Sequence, residues 1–197
     1  MHPKVSELIS KTYDEQRSNE WFKLRGNMLT ASDVASAIGA NFFKSPDALI
    51  VEKCGYRKFN GNVDTERGTR LEPIVRDMYD SLKNTKTYEI GLLVHPQYNW
   101  LGGSPDGVTE DGILLEIKCP KKISNKIPDY YYPQVQLLLE IMDLEECDFV
   151  QYCESNEQLK IIRVLRSREW FSEKLPIMDE FWKTVLYKRE HGLCELE

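Results

Sequence analysis

Two short stretches hold the residues best suited to chemistry: Ser104-Pro105-Asp106-Gly107, and Leu114-Leu115-Glu116-Ile117-Lys118-Cys119-Pro120. Taken as a strand, the second places Ile113, Leu115, Ile117 and Cys119 on one face and Leu114, Glu116 and Lys118 on the other. The first face is wholly apolar and is expected to meet the core. The second sets a carboxylate and an ammonium side by side on one surface. Phosphodiester hydrolysis uses such a set. A divalent cation polarises the phosphoryl oxygen and acidifies a water, and Mg²⁺ prefers carboxylate and carbonyl oxygens. Asp106, Glu116 and the backbone carbonyl of Ile117 are the candidate metal ligands. Lys118 is the candidate to orient or deprotonate the attacking water and to steady the developing negative charge. A Glu-x-Lys pair alone is a common surface pattern. The aspartate upstream, between a proline and a glycine, is what raises it.

Asp106 sets a geometric condition. Asp111-Gly112 is a hairpin signal. A strict two-residue loop there pairs residue 110 with 113, and therefore Asp106 with Ile117. Directly opposed residues share a face, so Asp106 would turn into the core, away from Glu116. If the two acids work together, a longer loop, a bulge or a bend near Pro105 is required.

The elements that must hold these residues are legible in outline. Ser18-Asn19 can cap a helix carrying Trp21, Phe22 and Leu24. Thr30-Ala31-Ser32 leads into a helix stopped at Gly39, and Ser45-Pro46-Asp47 opens another closed by Gly55. Residues 56–64 read as a loop. Leu71, Ile74, Val75, Met78, Tyr79 and Leu82 predict a long helix over about 65–82. Strands are expected at 87–95, 98–103, 106–110, 113–119, 147–153 and 159–165, with helices over 128–142 and 168–189. The fold class is thus α/β (α+β), a mixed sheet flanked by helices. One domain is expected: a helical part over about 1–64, a core over about 65–166 and a C-terminal helix over about 168–190.

Composition excludes several classes. No apolar run is long enough to span a bilayer, and the charged N-terminus lacks the apolar stretch of a secretory signal. A cytosolic or nuclear setting is the expectation. The 5 cysteines are scattered, with no C-x-x-C pair, which opposes a disulfide framework and a zinc or iron–sulfur site. A formal net charge of −6 mildly opposes nucleic-acid binding, although the placement of Lys and Arg decides that.

The motifs resemble the PD-(D/E)xK nucleases, and within them the phage lambda exonuclease/YqaJ-type viral recombinase family. The resemblance rests on SPDG at 104–107, LEIKCP at 115–120 and PQVQLLLEI at 133–141. It extends to WFKLRGNMLTASDVASAIG at 21–39 and RGTRLEPIVRDMYDSL at 67–82. It implies a restriction-endonuclease-like core and Mg²⁺- or Mn²⁺-dependent digestion of one strand of linear double-stranded DNA from a 5′ end, in recombination or repair. It maps metal binding to Asp106 and Glu116, the site lysine to Lys118, a site glutamine to Gln134 and a site acid to Glu72. A 5′-phosphate pocket maps to Arg25 and Ser32. It further implies double-stranded DNA ends as partner, a single-strand annealing protein as a second partner, and a homotrimer, although this chain is shorter than typical relatives.

The residues themselves leave alternatives open. Gln134 shares the inward face of its helix with Tyr130, Leu137, Leu138 and Ile141, where a buried amide needs a partner; a core-edge glutamine bonded to backbone also fits. Gln136 is expected on the wet side with Glu140 and Asp143. Glu72 lies at the edge of a buried face, where an i,i+4 pair with Arg76 is the plain alternative. Ser32 could simply cap its helix. Lys121, Lys122 and Lys126, with Lys53, Arg57, Lys58, Arg67 and Arg70, are candidates for a basic track along the DNA backbone. Tyr130–Tyr132 could stack on bases or pack in the core. Competing functions are a structure-specific or nicking endonuclease on the same scaffold, and a catalytically inactive DNA-binding module.

Overall fold

A computed structural model describes residues 1–13, 16–55 and 63–193. Seven α-helices, one 3-10 turn (Glu154–Asn156) and eight strands lie among them; the helix Pro3–Ile9 and the strand Leu29–Thr30 were not expected, and the strand expected at 87–95 is two short strands in different sheets. The helices are α1 (Pro3–Ile9), α2 (Asn19–Gly26), α3 (Ala31–Ala37), α4 (Pro46–Lys53), α5 (Val63–Lys83), α6 (Tyr132–Met142) and α7 (Arg168–His191). The strands are β1 (Leu29–Thr30), β2 (Thr87–Tyr88), β3 (Leu93–Val94), β4 (Leu101–Gly103), β5 (Gly107–Thr109), β6 (Ile113–Lys118), β7 (Glu146–Cys153) and β8 (Gln158–Leu165).

Local chemistry explains the helix starts. Ser18 accepts from the Trp21 N–H, Ser45 from that of Ala48 and Ser167 from that of Trp170, each satisfying one orphan donor. Gly39 and Gly55 close α3 and α4 at φ +73° and +84°. The helix expected from 128 begins later, at Tyr132. Residues 128–131 form a turn in which the Tyr131 N–H donates to Pro128, and Pro133 falls in the first turn, where its missing N–H costs nothing.

The main sheet is mixed, in the order β2-β5-β6-β7-β8; β6 and β7 are parallel and the other neighbours antiparallel. A second sheet has the order β1-β4-β3. The helix α6 is the crossover between β6 and β7. The fold-class expectation holds: helices cover a mixed sheet.

Two expectations about burial are overturned. Strand β6 is covered on both faces, not laid half-open. Its Leu115 and Ile117 pack on Leu71, Val75 and Tyr79 of α5, while Leu114, on the Glu116 face, joins the larger core with Leu137, Leu138, Cys147 and Phe149. A strand flanked by a parallel neighbour and a crossover helix is buried from both sides. Gln136 is likewise not on the wet side. It is 1% exposed, donates to the Leu165 carbonyl at 2.9 Å and accepts from the Ser167 N–H at 2.7 Å. It ties the end of β8 to the start of α7.

Cys54, Cys119, Cys147 and Cys153 are free thiols, and Cys194 lies outside the described residues. Among the described residues no helix is long and apolar enough to cross a membrane.

Candidate active site

The hairpin between β5 and β6 resolves the register. Gly107 pairs with Leu115 and Val108 with Leu114. Continuing that pairing sets Asp106 opposite Glu116, on the same face, around a loop of residues 110–112 rather than two residues. Gly112 takes φ +87°, the left-handed conformation that a three-residue hairpin loop needs. A Cβ at Gly112 would lie 2.8 Å from the His2 ring, so the N-terminal segment clamps this turn. The longer loop, not a bend at Pro105, aims Asp106 at Glu116.

Glu116 is 0% exposed. Its Oε1 accepts from Lys118 Nζ at 2.6 Å and from Gln134 Nε2 at 2.6 Å. Its Oε2 is buried without a partner. Asp106 spends Oδ2 on the Ile117 N–H at 2.7 Å. Burial, followed by the Asp106 charge, pushes Glu116 up to about 8 against the opposing pull of Lys118. Burial also raises Asp106, with Lys118 and the Ile117 N–H opposing. Burial and Asp106 push Glu72 up to about 7. Lys118 is raised as well: burial disfavours its charge, but Glu116 and Asp106 outweigh this and hold it above its ordinary value. Its Nζ also lies 4.9 Å from the Tyr131 ring. Three acids and an ammonium thus act on one another electrostatically across a largely buried cluster.

Glu72 faces the same cluster from α5. Its carboxylate pairs with Arg76 at 3.0 Å, the helical pair anticipated as the plain alternative, and with Arg17 at 3.6 Å. Arg25 and Ser32 also meet: Arg25 Nη2 donates to Ser32 Oγ at 2.9 Å, with the guanidinium 4.4 Å from the Trp21 ring. Thr30, not Ser32, occupies the cap of α3. The Trp21 Nε1–H donates to Ser104 Oγ at 3.1 Å, joining this shelf to the segment that carries Asp106. The sequence pattern did not single out Arg17, because its contact with Glu72 joins residues distant in the chain.

Several residues of the expected basic track have partners within the protein. Lys53 is 8% exposed on its side chain, pairs with Asp33 at 2.8 Å and donates to the Arg25 and Met28 carbonyls. Burial alone would raise Asp33, but Lys53 and Thr30 hold it below its ordinary value. Lys53 is therefore a core strut. Arg67 is also committed, to the Cys119 carbonyl at 3.1 and 2.9 Å and to Asp64 at 2.8 Å. Arg70 pairs with both oxygens of Glu154 at 2.8 Å. Lys121 is exposed, 3.7 Å from Asp64; Lys126 is exposed, 3.7 Å from Asp129; Lys122 is exposed. Arg57 and Lys58 lie outside the described residues. Arg67 anchors the chain immediately after Lys118, so Arg67→Met is expected to cost about 1–3 kcal/mol of stability by stranding the Cys119 carbonyl. A lowered urea midpoint with unchanged slope is the measurement; an unchanged midpoint would show the anchor to be idle.

The mixed sheet and its helical cover are those of the restriction-endonuclease-like fold. The chain belongs to the YqaJ-like viral recombinase domain family, whose pattern matches residues 20–145. The crystal structure of an alkaline exonuclease from Laribacter hongkongensis superposes with a TM-score of 0.78 at 28% identity, covering 88% of this chain and 95% of that one. A second structure of that enzyme, in complex with dAMP, gives 0.75 at 26% identity over the same shares. An uncharacterized protein of Acanthamoeba polyphaga mimivirus is 33% identical over 164 residues, covering 73% of this chain and 30% of its own length. This chain therefore spans less than a third of that relative.

Proposed function

We propose that the protein is a divalent-metal-dependent deoxyribonuclease that degrades linear duplex DNA from 5′ ends. The observation that carries this reading is the buried Glu116, fixed through Oε1 by Lys118 and Gln134 while Oε2 is buried without a partner. An orphaned buried carboxylate oxygen is costly unless a cation completes it.

The donor set fits Mg²⁺. Among the described residues no three His, Cys, Asp or Glu side chains converge on a metal-sized point. Two carboxylates, Asp106 and Glu116, plus the Ile117 carbonyl match an ion that keeps several waters and takes few protein ligands. When bound, such an ion supplies Lewis-acid polarisation of the phosphoryl oxygen and a more acidic water. The chain's own residues do the rest. Gln134 and Lys118 lock the Glu116 rotamer. Lys118 sets a positive charge where negative charge develops. Glu72 adds a third negative charge and holds Arg17 and Arg76 beside the cluster.

The 5′ preference rests on the Arg25–Ser32 pair, a guanidinium fork and a hydroxyl suited to a terminal phosphate. The Laribacter enzyme's complex with dAMP agrees with a mononucleotide as product. The test uses linear duplexes with 5′-phosphate or 5′-hydroxyl ends and a closed circle, in Mg²⁺. The wild type is expected to prefer the phosphorylated end and spare the circle. Arg25→Gln is expected to collapse the discrimination between ends by about 10-fold or more, the worth of one charge-assisted hydrogen bond. Cutting of the circle would replace this reading with an endonuclease.

A further inference from the structure

We propose that Phe42, Phe43 and Tyr130, continued inward by Tyr131, form a platform that stacks the unpaired bases of an opened duplex end while its backbone occupies the acid–lysine site. The proposal rests on the nuclease reading above and adds how the end is held open.

Phe42 and Phe43 are 76% and 72% exposed, in the loop between α3 and α4. Contiguous exposed apolar surface on a soluble protein marks a binding site more often than a packing accident. This loop is built rather than slack. The Asn41 side chain accepts from the Phe43 N–H at 2.9 Å and donates to Ser36 Oγ at 3.0 Å, and Ser45 caps α4 just beyond. The two phenyl rings lie 4.0 Å apart and meet Tyr130 edge-on, at 5.3 and 5.4 Å.

The row does not stop there. Tyr130 is 4.4 Å from Tyr131, and the Tyr131 ring lies 4.9 Å from Lys118 Nζ. Four aromatic rings therefore lead from solvent to the ammonium that contacts Glu116. A nucleotide whose phosphate lies against Lys118 carries its base one sugar away, within the span of this row. The exposed apolar residues of this patch are aromatic, whereas the exposed Ile74, Met78 and Leu82 belong to α5. Aromatic faces accept any base without reading sequence, as an enzyme that consumes arbitrary DNA requires. Bases held there cannot re-pair.

The test measures affinity of the full chain, in Ca²⁺ to separate binding from turnover, for duplexes whose last two base pairs are splayed. One version carries ordinary unpaired bases and the other abasic sites at those positions. The wild type is expected to bind the ordinary fork about 5- to 100-fold more tightly, the range of one or two aromatic stacks. The Phe42→Ala/Phe43→Ala variant is expected to bind both forks equally, at the wild type's abasic affinity. The difference should persist as salt is raised, because stacking releases no counterions. Tyr130→Leu should lie between the two. Equal wild-type affinity for both forks, or a variant that weakens both alike, overturns the platform. Cleavage in Mg²⁺ is scored separately. A wild type that cleaves yet ignores the bases sinks the platform alone; one that discriminates the bases without cleaving sinks the nuclease reading alone.

Discussion

Glu116→Gln is expected to lower hydrolysis by about 10³-fold or more and to uncouple thermal stability from Mg²⁺. The substitution keeps the shape of the side chain and leaves an amide oxygen for Lys118 and Gln134. It removes the charge and replaces the orphaned Oε2 by an amide NH₂, a donor that no divalent cation binds. The stability half of the result follows from linkage. Burial and the Asp106 charge raise Glu116 to about 8 in the folded protein, above its ordinary 4.5. The folded state then binds a proton more tightly than the unfolded chain, so metal-free stability is full below about pH 4.5 and is lost as pH rises towards 8. At pH 8 in EDTA the variant, which never bears that charge, is expected to melt no lower than the wild type. Mg²⁺ should raise the wild-type midpoint, by about 2.7 kcal/mol of binding linkage at a hundredfold excess over Kd, and leave the variant unmoved. Equal Mg²⁺ shifts in both proteins, or an active variant, would remove Glu116 from the metal site.

The sequence carried the Glu116–Lys118 juxtaposition because strand alternation is local. It did not carry the burial of that face, because Leu114 is its only apolar residue and the cover comes from α6 and the second sheet. Asp106 was readable only as a condition. The dipeptide Asp111-Gly112 announces a turn but not its length, and one added residue, absorbed by Gly112 at φ +87°, decides which face Asp106 takes. Gln134 followed from helix geometry, since a polar side chain on an inward stripe must find a partner, and it finds Glu116. The same rule misplaced Gln136, whose partners on β8 and α7 lie 29 and 31 residues away. Charges were least legible. Arg67, Arg70 and Lys53 look like DNA contacts in one dimension, yet their acceptors are Cys119, Glu154, and Asp33 with two backbone carbonyls. Cations are cheap to place on a sequence, and only folding shows which of them are already spent.

Lys118→Met tests the charge at the centre of the site. Its ammonium is 2.6 Å from Glu116 Oε1, and the neighbouring carboxylates hold its proton more firmly than in a free lysine. Methionine fills the space beneath Tyr131 with a soft thioether that packs well on an aromatic ring, so the fold should survive. The rate should fall by about 10²–10³-fold, the loss expected for one preorganised donor facing developing negative charge. Lys118→Arg separates two roles. A proton-holding lysine acts as a fixed positive donor, and arginine, which never deprotonates, should then recover part of the rate lost in Lys118→Met. A lysine that takes the proton from water cannot be replaced this way. If Lys118→Arg binds duplex ends normally yet is as inactive as Lys118→Met at every pH, Lys118 is the base. If it recovers about tenfold, with a pH profile parallel to the wild type, the site works by electrostatic stabilisation and the proton leaves by another route.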